Sequence, residues 1–159
     1  MTRVQEIQSK TVFQQPKDGR KRPAIPLAAN EDSAALYAHM QVFLLEDLSP
    51  NTAILAAYLN ELGFPPAVCA SSLAQVAPHQ EDLEHGIFGV IFLDVMLPDG
   101  KSTALAKQLK AKGVDNVFAY TALNDPGERA ELISSGFDAV LNKPLTLREL
   151  KHTLSQHLS

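Results

Sequence analysis

Glu46, Asp47, Asp94, Thr121 and Lys143 each stand at or beside the carboxyl end of a short apolar run. The runs are VFLLED at 42–47, VIFLD at 90–94, VFAYTA at 117–122 and LNKP at 141–144. Gathered in one cleft, three carboxylates, a hydroxyl and an ammonium suit a divalent cation and a phosphoryl group. Taken singly, each residue has a plainer reading. Adjacent acids after a strand serve as turn or cap residues, a threonine can end a strand, and a lysine before proline is usually solvated. Their joint occurrence at four run ends is what points to a site.

A doubly wound parallel sheet would bring these residues together, because it collects the carboxyl ends of its strands along one edge, where ligands bind. The chain has the alternation such a sheet needs. QVFLLE is strand-length; Ile54, Leu55, Tyr58, Leu59 and Leu62 then repeat at helical spacing, with Ser49 or Asp47 expected as the cap and Gly63 as the stop. AVCA reads as a second strand, and residues 72–84 as a weaker helix. IFGVIFLD is apolar throughout, as a strand covered on both faces should be. KSTALAKQLKAKG, VFAYT, PGERAELISSG, DAVLN and TLRELKHTLSQHL continue the alternation. Five strands with five helices predict an α/β fold, a doubly wound five-stranded parallel sheet covered on both faces.

Residues 1–40 are expected to be an N-terminal arm and 41–159 the domain. QQPKDGRKRPAIP holds three prolines and the basic residues Lys17, Arg20, Lys21 and Arg22, so an extended, solvated linker is expected there. EDSAALYAH could form a short helix leading in. Residues 1–40 carry six Lys/Arg against four Asp/Glu, the remainder eight against fourteen, for a net charge of −4. That balance argues against general nucleic-acid or membrane binding. The single Cys69 lies in an apolar run and is expected in the core. No run is long enough to span a membrane, and no hydrophobic leader is evident, so a cytoplasmic protein is expected. None of the five histidines has metal-ligand spacing or the look of a phosphodonor.

From about residue 41 to 158, with these four motifs in order, the chain resembles the receiver domain of two-component response regulators and hybrid histidine kinases. The resemblance implies a flavodoxin-like fold with strand order 2-1-3-4-5. It also implies Asp94 as phosphoacceptor, Glu46 and Asp47 as the acidic pair, Thr121 as the hydroxyl and Lys143 as the lysine. Pro144 would follow through a cis peptide, and the backbone carbonyl of Met96 would be a further metal ligand. The residues suit these roles on physical grounds. Two acids leaving one strand and a third from the next offer hard oxygens without a full cage, which suits Mg²⁺. An aspartate can take a phosphoryl group as nucleophile.

The expected function is Mg²⁺-dependent phosphorylation at Asp94 by a histidine kinase or histidine phosphotransfer protein. Four positions depart from the family pattern. Ser102 replaces a common glycine, implying altered loop-to-helix geometry. Val140 stands where an aromatic switch residue is frequent, which favours phosphorelay output over an aromatic rotamer. Met96 and Leu123 flank the site with apolar side chains and should not orient a water. A receiver fold serving as a non-phosphorylated docking module is the alternative. A flavin protein is disfavoured because Glu46 and Asp47 would repel a phosphate. A dehalogenase-type phosphatase is disfavoured because Met96 stands where a second acid is needed.

Overall fold

The strand Phe88–Asp94 is buried at every position but Gly89, and Val117–Thr121 along its whole length. Strands so apolar must be covered on both faces, and they form the middle of a parallel sheet. The computed structural model describes residues 31–122 and 125–158; the basic arm of residues 14–26 and Leu123 lie outside them. In chain order the elements are α1 (Glu31–Tyr37), β1 (Gln41–Leu45), α2 (Ser49–Glu61), β2 (Val68–Ala70), a 3₁₀ segment (Ala74–His79), α3 (Gln80–Glu84), β3 (Phe88–Asp94) and β4 (Met96–Leu97). Then come β5 (Gly100–Lys101), α4 (Thr103–Ala111), β6 (Val117–Thr121), α5 (Pro126–Ser135), β7 (Ala139–Asn142) and α6 (Leu147–His157).

The main sheet runs β2-β1-β3-β6-β7, with every pairing parallel. Counting its own five strands, this is the expected 2-1-3-4-5 order. Alternate side chains feed two cores. Phe43, Leu45, Ile91, Leu93 and Ala119 pack towards α3, α4 and α5, while Val42, Leu44, Phe92, Phe118 and Tyr120 pack towards α1, α2 and α6. Tyr37 of α1 stacks on Phe64 with ring centroids 4.3 Å apart, so packing on the sheet reaches back into α1.

The helix ends follow local chemistry. Asp125 caps α5 by accepting from the Gly127 and Glu128 amides, and Pro126 occupies its first turn. Gly136 ends α5 at φ 120°, where a side chain would be strained and a Cβ would lie 3.0 Å from the Ala106 carbonyl. Thr146 and Glu149 form a reciprocal capping box at α6.

Several local expectations are corrected. Neither Ser49 nor Asp47 caps α2: the N-cap is Leu48, which has no side-chain cap, and Glu46 Oε1 accepts its amide at 3.1 Å. Ile54 is 45% exposed, because Leu55 and Leu59 form a narrower buried stripe on α2 than the sequence spacing implied. The single helix expected over 72–84 is a 3₁₀ segment followed by the short α3, and Pro78 supplies no amide to join them. Cys69 is exposed, since β2 is a three-residue edge strand on which only Ala70 is buried. The loop after Asp94 contains an antiparallel ribbon, Met96 opposite Lys101 and Leu97 opposite Gly100. Asp99 at its tip accepts from the Leu73 and Ala74 amides, both at 2.9 Å, tying the ribbon to the 3₁₀ segment.

Candidate functional site

The parallel sheet places the ends of β1, β3, β6 and β7 side by side. Glu46 and Asp47 follow β1, Asp94 closes β3, Thr121 closes β6 and Lys143 follows β7. One carboxylate oxygen from each of Glu46, Asp47 and Asp94 lies within 4.8 Å of the other two. Lys143 Nζ sits 2.6 Å from Glu46 Oε2 and 3.3 Å from Asp94 Oδ2. The shorter contact falls off the direction of a hydrogen bond, so it is an ion pair without a directed bond.

The approach of Lys143 is built into the backbone. Its amide donates to the Thr121 carbonyl at 2.8 Å, extending the β6–β7 register one step beyond the last paired residues. The Lys143–Pro144 peptide is cis. Thr121 is buried beside this crossing. The Met96 amide approaches Asp94 Oδ1 at 3.3 Å, and the Met96 side chain is exposed at the rim. Val140 is buried in β7 on the α4–α5 side, and its carbonyl accepts from Arg129. Ser102 is fully buried at the N-cap of α4, where its amide donates to the Val95 carbonyl and its hydroxyl makes no hydrogen bond.

Burial makes the charges costly. Glu46 is 3% exposed and Asp94 5%. The Asp94 carboxyl is pushed up to about 7, chiefly by burial; Lys143 opposes the shift, and Glu46 and Asp47 add to it. Among the described residues, one ammonium thus pairs with two of the three clustered acids. A hard cation taking oxygens from Glu46, Asp47 and Asp94 would relieve that imbalance, and the all-oxygen donor set fits Mg²⁺.

Sequence reasoning missed Tyr120. Lys143 Nζ lies 4.8 Å from its ring centroid, against the ring face. The Tyr120 phenol is pushed up to about 12, first by burial and then by Glu46, Tyr58 and Asp94, so the ring stays neutral. The available signal was an aromatic one residue before the strand-end threonine, a position that alternation places on the opposite face of β6 from Thr121.

The family model described as the response regulator receiver domain matches residues 42–155. The chain belongs to the receiver-domain family. Over 109 residues this receiver is 28% identical to the TorCAD operon transcriptional regulatory protein TorR of Escherichia coli K12, covering 69% of the chain and 46% of TorR. It is 30% identical over 127 residues to the aerobic respiration control sensor protein ArcB of the same strain, covering 77% of the chain and 16% of ArcB. The chain therefore spans less than half of either relative. Among solved structures, a two-component response regulator from Clostridium difficile superposes with a TM-score of 0.64 at 21% identity, covering 74% of this receiver and 93% of that chain. The receiver domain of sensor histidine kinase PA1611 from Pseudomonas aeruginosa gives 0.60 at 22%, covering 74% and 96%; that structure has a magnesium ion coordinated in its active-site cleft. Among the described residues, no helix is long and apolar enough to cross a membrane.

Proposed function

We propose that this receiver accepts a phosphoryl group on Asp94 from a histidine kinase or histidine phosphotransfer protein of the cytoplasm. In this reading Glu46, Asp47, Asp94 and the Met96 carbonyl hold Mg²⁺. The observation that carries the reading is the lysine bridge: one ammonium shared between Glu46 and Asp94, with three acid oxygens clustered within 4.8 Å. Bound Mg²⁺ would neutralise acid charge and draw negative charge from the phosphoryl oxygens.

The chain's own residues do the rest. An Asp94 oxygen forms a bond to phosphorus as the donor's P–N bond breaks, and that bond's electron pair leaves with the imidazole, which takes up a proton. Lys143 meets the charge that remains on the phosphoryl oxygens, and the Thr121 hydroxyl donates a hydrogen bond to one of them. Val140 has no ring to swing, so output runs through phosphoryl relay or docking near α2, where Leu48 and Ile54 are exposed.

Acetyl phosphate with Mg²⁺ should raise the intact mass by one phosphoryl group, and Asp94→Asn should abolish the rise. Persistent labelling of that variant would overturn the assignment.

A further inference from the structure

We propose that Tyr120 is a positioning residue for Lys143: its ring face holds the ammonium beside Asp94 independently of what the acid cluster carries. This inference rests on the phosphoacceptor reading and adds to it a residue outside the acid, hydroxyl and lysine set. Among the described residues, three contacts of the ammonium stand out: Glu46 Oε2 at 2.6 Å, Asp94 Oδ2 at 3.3 Å and the Tyr120 ring at 4.8 Å. Two of the three are carboxylates that a divalent cation would also draw on, so their pull on the ammonium weakens when a metal is present. By distance the ammonium leans towards Glu46, away from Asp94.

The ring cannot be drawn away in the same manner. Tyr120 is 1% exposed, and its backbone pairs with Asp94 of β3 on one side and Leu141 of β7 on the other. A cation over a ring face is attracted by the ring quadrupole, more strongly where water is excluded, and the Lys143 side chain is only 12% exposed. Both ends of Lys143 are thus referred to β6: its amide to the Thr121 carbonyl, its ammonium to the Tyr120 ring. A flexible four-carbon stem gains most from such a second anchor.

Tyr120→Phe keeps the ring face and Tyr120→Leu removes it. Tyr120→Met removes it with a more adaptable side chain, should the leucine variant fold poorly. The first readout is the NMR shift of the Lys143 δ and ε methylenes without any phosphodonor. A ring-current displacement is expected in wild type and Tyr120→Phe, and its loss in the leucine and methionine variants. The second is the initial rate of phosphorylation by acetyl phosphate at saturating Mg²⁺. Tyr120→Phe should stay within about twofold of wild type, and the ring-less variants should fall by about fivefold. Unchanged Lys143 shifts in a ring-less variant, or equal rate losses in the phenylalanine and leucine variants, would overturn the proposal. If wild type takes no phosphoryl group, the phosphoacceptor reading fails, while the Lys143 shifts still decide the positioning.

Discussion

Two aspartate–lysine pairs lie at opposite edges of the sheet. At the amino edge, Asp138 precedes β7; one of its oxygens accepts the Val117 amide at 2.9 Å and the other is bonded to Lys110. Its own amide donates to the Val117 carbonyl at 2.7 Å. At the carboxyl edge, Asp94 and Glu46 share Lys143 with Asp47 close by, and both are nearly buried. Asp138 has a donor for each oxygen and solvent nearby, so it staples β6 to β7 and has little capacity left for a ligand. The cluster at the carboxyl edge keeps more negative charge than the Lys143 ammonium balances, at a cost in folding that a bound cation would remove. A saturated pair stabilises, and an unsaturated one keeps charge available for a ligand.

The sharpest test of that contrast sets the two aspartates side by side. Asp94→Asn should lose acetyl phosphate labelling completely, whereas Asp138→Asn should label like wild type and lose about 1–2 kcal/mol of stability in urea. Equal labelling of the two variants would erase the distinction. Next in size, Asp47→Ala should weaken Mg²⁺ binding by at least about tenfold, because it removes one of few charged oxygens. Calorimetry giving an unchanged affinity would remove Asp47 from the metal site.

A smaller effect concerns the exposed rim. Met96 is exposed and apolar, and it offers no group to orient an attacking water. Met96→Asn combined with Leu123→Glu should speed loss of the aspartyl phosphate by about tenfold, equivalent to about 1.4 kcal/mol of barrier. A rate unchanged or slower in that double variant would show that these side chains do not gate water.

The smallest expected effect is on stability against pH. The Asp94 carboxyl is raised in the folded state to about 7 from an ordinary 3.8, so between those values the native protein holds a proton that the unfolded chain has lost. Stability of the metal-free protein should therefore fall as pH rises through that window and level off above it. Asp94→Asn should flatten the profile and be more stable at pH 8 by about 1 kcal/mol. Metal-free wild type and variant with parallel pH profiles would contradict the buried, undersatisfied carboxylate; Asp138→Asn serves as the control at the saturated edge.

The sequence alone determined the elements whose signals are local. The apolar runs placed the five strands of the main sheet to within a residue or so, and the Gly63 stop stands where the helical spacing of α2 ends. The run ends also named the residues that the sheet collects at one edge, because a parallel α/β order leaves them no other place to go. Only the tertiary structure decided how those residues meet. Leu48 as the cap of α2, exposure of Cys69 and Ile54, and the saturation of Asp138 by Val117 each depend on which neighbour a side chain finds after packing. So does Tyr120. In sequence it is one more apolar strand residue, and it faces Lys143 only because β6 and β7 pair in one register and Lys143 leaves the sheet beside it. Periodicity is written within a few residues of chain, whereas a contact between residues 120 and 143 is fixed by strand register and rotamer, which no local pattern records.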